Sequence, residues 1–486
     1  MMKHYAKRTV QIITAAMMML AAPAMAWGEV VKYISGDEEK SIEATVLTSE
    51  VTTLGTDGAE TWYVVPEGGV TYDQGLTLIG DVYLILRDGA TMGVPSYPLN
   101  GEGSINIFAQ STGENMGQLV ITAATAGGNI TINGGQVEVY DGGISAQKDI
   151  TINGGQVTVS YGIVAHKDIT INGGQVTVSD GISALNDITI NGGQVTVNGG
   201  GIFPQKNISL SWSKVTDFIL ASSIQSDSGT ISIRQGKKMA YIDEDNDNVV
   251  TLEGIIDTDQ TSLEDKKLTP PMVKLFDKDE TNLWMTWCDE GRWLMPEDCM
   301  AYKVSGISTD GKSVMIEPIE NGEVPGYTPV LIKRESRYNS YYATFSETGK
   351  QPSSSNEDDS KGWVFKGNYY TNSMGGLYGI DAHADKVSYI LLNDEFVRVY
   401  ASDGEIQPRR CWLTVTPAAT NTAGARRLSI GSANSSGGTT AIRTMDGDSS
   451  DAASDALWHT LDGRTLTTRP TQKGIYIHQG NKIIIK

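Results

Sequence analysis

A short repeat constrains this chain more than any other feature of its sequence. The string Ile-Thr-Ile-Asn-Gly-Gly-Gln-Val begins at Ile130, Ile150, Ile169 and Ile188, so successive copies lie 20, 19 and 19 residues apart. Each copy holds three short runs in which apolar and polar residues alternate, and Gly-Gly separates the first run from the second. Such alternation, interrupted by glycine, is typical of strand, turn and strand. The repeat therefore predicts three-strand rungs of a right-handed parallel β-helix.

Stacked rungs place the same repeat position of successive copies in one column. One rung does not bury its own apolar side, but neighbouring rungs pair along their length at roughly 4.8 Å per rung. We expect the asparagine before each Gly-Gly to form a column of amides that hydrogen-bond along the stack. We also expect aliphatic columns inside the helix and threonine columns outside it, for example Ile150, Ile169 and Ile188 against Thr151, Thr170 and Thr189.

The repeats and the changes of composition around them predict an all-β chain of several parts. A region rich in Trp and Tyr with short alternating runs follows the helix, and an Ala, Ser, Thr, Gly and Asp stretch follows that region. The predicted parts are a signal peptide (1–26), an N-terminal capping segment (27–60), the parallel β-helix (61–237), a transition segment (238–271), a β-sandwich-like domain (272–416), a flexible linker (417–455) and a small C-terminal β segment (456–486).

The first 26 residues have the pattern of a cleaved secretory signal. Positive residues at Lys3, Lys7 and Arg8 precede an apolar run, and Ala24 and Ala26 supply the small residues that a signal peptidase needs. Later stretches lack the roughly 20 apolar residues of a membrane helix, so we expect no transmembrane segment. Without residues 1–26 the chain carries 35 Lys and Arg against 58 Asp and Glu, a net charge of −23. That charge argues against nucleic acid as a partner and favours a secreted or cell-surface protein.

Three cysteines lie in the second half of the chain. An oxidising compartment permits one disulfide, and proximity in sequence favours Cys288 with Cys299 over a bridge to Cys411. Spacing does not establish connectivity, and buried apolar thiols explain the three residues equally well.

One column of acids has the spacing of a catalytic pair. Asp149, Asp168 and Asp187 recur once per rung, which places neighbours about 5 Å apart and alternate members about 10 Å apart, bracketing the carboxylate separations of glycosidases. An acid that recurs in every repeat is more simply a feature of the turn, where Asp suits the backbone. We therefore expect no catalytic residue, and general acid/base catalysis by this column remains the alternative.

Two acidic stretches invite a metal-binding interpretation. The loop from Asp243 to Asp247 has acids at alternate positions but lacks the glycine and the final glutamate of a calcium-binding EF-hand loop. Asp381, His383 and Asp385 offer three ligands in a segment that also reads as an exposed loop. We expect solvated loops at both places, with no metal and no cofactor.

Aromatic residues are the best candidates for a binding site. A flat ring buries the apolar face of a sugar, although core packing is the default explanation for most of the tryptophans. Trp363, Tyr369 and Tyr370 follow a polar stretch at 349–362 that is typical of an exposed loop, and they are our predicted binding residues.

Two sequence patterns resemble secreted proteins of the Bacteroidota. The tail carries Leu461-Asp-Gly-Arg464, Lys473-Gly-Ile-Tyr-Ile477 and a terminal Ile-Ile-Ile-Lys, and it is similar to type IX secretion sorting domains. The Thr77–Leu86 block, the Asn-Gly-Gly repeats and the Trp212 to Ile219 stretch resemble a family of secreted Bacteroidota repeat proteins. The resemblance implies export across the outer membrane through the C-terminal segment and carries no catalytic residue.

These observations lead to three expectations for function. The first is a non-enzymatic secreted or cell-surface protein that binds an extracellular glycan or another surface, as an adhesin does. The second is a polysaccharide-degrading β-helix enzyme, a glycoside hydrolase or lyase. The third is a structural spacer of the cell envelope.

Overall fold

The structure, a computed structural model, describes most of the chain between residues 28 and 485. Residues up to 433 belong to one compact unit and the remainder to a second. The predicted signal peptide and Tyr370 lie outside the described residues. The described ranges are 28–258, 261–337, 339–348, 361–369, 385–399, 405–422, 425–432, 458–460, 465–466, 474–478 and 481–485.

A parallel β-solenoid of about nine turns opens the first unit, as the repeat predicts. Its strands form three sheets, here called faces 1, 2 and 3. Face 1 contains Gly28–Ser35, Glu38–Val46, Glu60–Val64, Asp81–Leu86, Ser104–Ala109, Ile130–Ile132, Ile150–Ile152, Ile169–Ile171, Ile188–Ile190, Ile208–Leu210 and Ile231–Ile233. Face 2 contains Val70–Thr71, Thr91–Val94, Gln118–Ile121, Gln136–Val139, Gln156–Val159, Gln175–Val178, Gln194–Val197, Phe218–Ala221 and Lys267–Leu268. Face 3 contains Thr53–Leu54, Leu76–Leu78, Leu99–Gly101, Ala124–Ala126, Ile144–Ala146, Ile163–Ala165, Gly181–Ala184 and Gly201–Pro204.

The predicted columns are present and in register. Ile150 pairs with Ile169, which pairs with Ile188, and all three side chains are fully buried. Thr170 lies between two such columns on the outer side of face 1. The aliphatic interior is one continuous core that runs from Leu47 to Leu268, so each rung buries its apolar side only because its neighbours cover it.

The asparagine column forms the expected amide ladder. Asn153, Asn172 and Asn191 each donate from Nδ2 to Oδ1 of the asparagine one rung earlier, at 2.8, 2.7 and 2.8 Å. The second glycine of each repeat follows this corner with a positive φ, 87° at Gly174. A Cβ there would lie 2.7 Å from the carbonyl oxygen of Gly155, so this corner admits no side chain.

Antiparallel segments cover both ends of the solenoid. The hairpin of Gly28–Ser35 and Glu38–Val46 starts face 1, and the ring of Tyr33 lies 5.0 Å from the rings of Trp62 and Phe108 on its outer side. At the other end the hairpin of Met239–Asp243 and Asn248–Leu252 adds buried residues to the solenoid core, and Lys267–Leu268 pairs antiparallel with Phe218–Ala221. The segment predicted as a transition therefore closes an otherwise unpaired strand edge.

The second part of this unit has two sheets. The nine-stranded sheet follows the order Trp284–Trp287, Val330–Arg334, Cys299–Ile307, Ser313–Pro318, Arg427–Ser432, Glu395–Arg398, Val387–Leu392, Cys411–Val415 and Trp363–Gly367. The four-stranded sheet follows the order Met272–Phe276, Tyr341–Thr348, Gly291–Leu294 and Glu323–Val324. A 3-10 turn at Glu320–Gly322 and an α-helical turn at Pro417–Thr420 are the helical segments of the described residues, and neither is long and apolar enough to cross a membrane.

The domain extends beyond its predicted end at residue 416. Strand Arg427–Ser432 lies inside the segment expected to be a linker, yet it pairs with Ser313–Pro318 and with Glu395–Arg398 in the middle of the long sheet. Leu428 of this strand is fully buried. The small polar residues on either side of this strand are typical of a linker, so the composition predicted one. The strand is only six residues long and its partners are distant in sequence, so the composition does not reveal it.

The nine-stranded sheet curls so that its two ends approach each other. Thr286, on the first strand of the order, accepts a hydrogen bond from the backbone N–H of Cys411, on the eighth strand, at 3.0 Å. Trp363 and Phe365 of the last strand pack on a core that includes Leu331 and Leu413. This curvature forms a surface where the last strand approaches the third, Cys299–Ile307.

The second unit is a four-stranded antiparallel sheet. Its order is Thr465–Leu466, Trp458–Thr460, Gly474–His478 and Asn481–Ile485. The last two strands pair antiparallel, with Gly474 opposite Ile485 and His478 opposite Asn481.

A carboxylate joins the solenoid's end hairpin to the second part of the first unit. Asp247 accepts hydrogen bonds from the hydroxyls of Ser340 and Tyr342, and the ammonium of Lys274 lies 3.4 Å from its Oδ2. The hydrogen bonds from Ser340 and Tyr342, with a smaller contribution from Lys274, lower the pKa of Asp247 to about 2. The charged form of Asp247 therefore stabilises this junction.

We expect the stability from Asp247 to depend on pH in one direction. Because its pKa is lower in the folded chain, Asp247 stabilises the fold above its ordinary pKa, and this contribution is lost as the pH falls through about 2. Asp247→Asn should lower the free energy of unfolding by about 1–2 kcal/mol at pH 7 and by less than about 0.5 kcal/mol at pH 2. Urea unfolding of both proteins between pH 7 and 2 measures this difference. Asp245→Asn, an exposed acid of the same turn, is the control, and an equal loss at both pH values would contradict the assignment.

Candidate functional site

A groove opens beside Trp363 where the last strand of the long sheet approaches the third. Its volume is about 370 Å³, within the range of about 300–1,000 Å³ typical of small-molecule sites. Three parts of the chain contribute to its walls. The residues that line it are Lys303, Val304, Thr328, Pro329, Lys361, Trp363, Val364 and Phe365.

Local structure holds Trp363 at this groove. Trp363 begins a strand that pairs antiparallel with Cys411–Val415, and it lies opposite Val415. Before it, Gly362 adopts φ 73°, and a Cβ there would lie 2.7 Å from the side chain of Ala419. The chain therefore turns into the strand through a position that favours glycine. Trp363 is half-buried, since part of the ring packs on the domain core while the residue also lines the groove.

Two lysines give the groove a positive charge. The Lys361 ammonium lies 6.0 Å from the centroid of the Trp363 ring, and Lys303 is on the opposite strand. Both lysines are exposed, and neither makes an ion pair with any residue that the structure describes. Carboxylates are absent from the described residues that line the groove, although the whole chain has a net charge of −20.

The structure places Tyr369 elsewhere. Its hydroxyl donates to the carbonyl oxygen of Tyr327 at 3.0 Å, and the two rings lie 5.5 Å apart. Burial, followed by the neighbouring Cys288 and Cys411, raises the pKa of the Tyr369 phenol. Tyr369 therefore packs towards the interior and is not among the residues that line the groove. Of the predicted binding residues that the structure describes, Trp363 alone lines it.

Sequence reasoning did not find the two lysines of the groove. Lys361 stands two residues before Trp363, which is a local signal, but Lys303 is on a strand far earlier in the chain. Only the curled sheet brings the two together. The most exposed aromatic side chain of the described residues is Tyr161, 55% exposed at a corner of the solenoid and outside the groove.

The carboxylates of the acidic column in the solenoid accept hydrogen bonds from backbone N–H groups. Oδ1 of Asp149 accepts from the backbone N–H of Asp168 at 3.1 Å, and Oδ1 of Asp168 accepts from that of Asp187 at 3.0 Å. Asparagine holds the same position at both ends of the column, since Oδ1 of Asn129 and of Asn207 accept equivalent bonds. An amide replaces the acid without loss of the contact, so these residues cap turns of the solenoid.

The first acid of the loop in the end hairpin also accepts hydrogen bonds from within that loop. Asp243 accepts from the backbone N–H of Asp245 at 3.1 Å and from the amide of Asn246 at 2.8 Å. In the part of the chain that the structure describes, groups of three or more His, Cys, Asp or Glu suited to a metal ion are absent. Asp381 and His383 lie outside that part.

The three cysteines are buried and unbridged, and the pair favoured by proximity in sequence is wrong. Cys288 lies beside Cys411, because the first and eighth strands of the curled sheet meet there, whereas Cys299 packs in the core under the four-stranded sheet.

The fold and the groove define the chain as a β-solenoid protein with an appended β domain. Comparisons with protein-family models, with curated proteins and with solved structures return no match.

We expect the acidic column to tolerate an amide. Asp168→Asn keeps the oxygen that accepts from the N–H of Asp187, so the free energy of unfolding should change by less than about 0.5 kcal/mol. Asp168→Ala removes the acceptor and should cost about 1 kcal/mol. Chemical unfolding monitored by circular dichroism measures both, with the outward Thr170→Ala as control. A loss with Asn as large as that with Ala would show that the charge itself is needed.

Proposed function

We propose that this chain is a non-enzymatic, exported surface protein that binds glycans through the groove beside Trp363. The observation that carries the proposal is a half-buried tryptophan ring that shares an open groove with two unpaired lysines. An indole ring stacks on the apolar face of a pyranose, and adjacent polar groups orient the sugar by hydrogen bonds. Export rests on the signal-like residues 1–26 and on the resemblance of the C-terminal segment to sorting domains.

The solenoid favours binding over catalysis in this proposal. Its recurring acids accept hydrogen bonds from the backbone, and asparagine holds the same position at both ends of the column. Its strands stack into a rigid, repetitive rod that suits the display of a binding domain. A role as a structural spacer shares this rod but requires no ligand for the groove.

Replacement of Trp363 should abolish most glycan binding. The full-length chain is first screened against immobilised neutral and acidic polysaccharides, and affinity for any retained polymer is then measured by titration. Trp363→Ala should weaken binding at least tenfold, about 1.4 kcal/mol, because the stacking surface is lost. Trp363→Phe, which keeps a ring against the core, should have a smaller effect.

Two controls separate binding from folding. Tyr161→Ala removes a more exposed ring at the solenoid and should leave affinity unchanged. Thermal unfolding shows whether each variant remains folded. Unchanged affinity in a folded Trp363→Ala protein would refute the groove as the site, and a wild-type chain that binds no glycan would favour the spacer role.

A further inference from the structure

The charge of the groove restricts the kind of sugar it suits. Lys303 lies on strand Cys299–Ile307 and Lys361 lies just before strand Trp363–Gly367, and the described residues that line the groove include no carboxylate. In a chain with a net charge of −20, most surfaces repel an anionic polymer, so a local pair of ammonium groups decides where such a polymer binds.

We propose that the groove selects acidic sugars, whose carboxylate or sulfate group pairs with Lys303 and Lys361 while the ring stacks on Trp363. This inference rests on the proposed glycan binding and adds the class of ligand. Lys361 is held beside the indole, 6.0 Å from its centroid, so the charge and the stacking surface are presented together. Neutral sugars retain only the stacking contact.

Paired polymers test the selectivity. Polygalacturonic acid and its methyl ester share one backbone and differ in carboxylate charge, while dextran sulfate and dextran test sulfate in the same way. We expect at least tenfold tighter binding of one acidic polymer than of its neutral partner, and weaker binding as salt rises from 50 to 500 mM. Lys303→Gln/Lys361→Gln should remove that advantage. Lys333→Gln is the matched control, because Lys333 lies 5.7 Å from the Trp284 ring and does not line the groove.

The outcomes distinguish this inference from the proposed function. If an acidic polymer and its neutral partner bind equally and Trp363→Ala weakens both, glycan binding stands and acid selectivity is overturned. If Lys333→Gln reduces binding as much as the groove variant, the effect belongs to net charge and the inference is overturned. If no polymer of either kind binds, both proposals fail.

A second, independent inference concerns the two thiols at the closure of the long sheet. Cys288 Sγ lies 3.5 Å from the carbonyl oxygen of Arg410, the residue before Cys411. Reciprocally, Cys411 Sγ lies 3.0 Å from the carbonyl oxygen of Trp287, the residue before Cys288. Each sulfur thus contacts the backbone next to the other cysteine, which places the two side chains beside each other.

We infer that Cys288 and Cys411 form a disulfide when the chain folds in an oxidising compartment. Two S–H bonds here and the S–S bond of a thiol oxidoreductase break, one S–S bond forms between Cys288 and Cys411, and the two electrons and two protons convert the oxidoreductase disulfide to two thiols. Both residues are buried in the folded chain, and burial followed by the Cys288 thiol raises the pKa of Cys411. Because the thiolate is the reactive form, the bond forms before the sheet closes over the pair.

Peptide mapping tests this inference directly. The full chain is produced with export to an oxidising compartment, alkylated without reduction under denaturing conditions, and digested with trypsin. Cys288, Cys299 and Cys411 fall in separate tryptic peptides, residues 279–292, 293–303 and 411–426. We expect 279–292 linked to 411–426, one free thiol per chain, and a lower thermal midpoint after reduction, since the bond closes a long loop.

Variants identify the bonded pair. Cys299→Ser should leave the link intact with no free thiol, and Cys411→Ser should abolish the link and leave two free thiols. Three free thiols per exported wild-type chain, or a link that includes residues 293–303, would overturn the inference.

Discussion

The structure depends on the stacking of identical positions from rung to rung. An isoleucine above an isoleucine, held at strand spacing by a parallel ladder, is buried against the side chains of the other two faces of the solenoid. The asparagine ladder and the glycine corner preserve the same spacing at the turn. A substitution at one rung therefore acts on its two neighbours, and the core is a sum of nearest-neighbour contacts.

Such a stack needs special ends, and both are built from antiparallel segments. Hairpins and a short strand cover the terminal rungs, and Asp247 at the tip of the end hairpin joins the solenoid to the second part of the unit. The edge of Phe345 also contacts Trp212 of the solenoid, with ring centroids 6.1 Å apart. The segment that covers the last rung of the solenoid therefore also attaches the second part of the unit.

The repeats and the candidate groove occupy different parts of the chain. The recurring acid of each rung accepts a hydrogen bond from the backbone N–H of the next rung. Asn129 accepts the same bond as Asp149, because both side chains offer an Oδ1 oxygen. The candidate groove lies where regularity ends, at the last strand of a curled sheet. Trp363 is half-buried there because it packs on the domain core and also lines the groove.

The sequence by itself determined the solenoid, its columns and its outward threonines, because its contacts join residues one repeat apart and a period exposes them. It also singled out Trp363, from a ring beside a polar stretch, and that residue lines the candidate groove. Tertiary structure alone decided that Lys303 meets Lys361, that Cys288 lies by Cys411 rather than Cys299, and that Arg427–Ser432 is a strand. These contacts join segments distant along the chain and follow no period, since they arise from the curvature of one sheet.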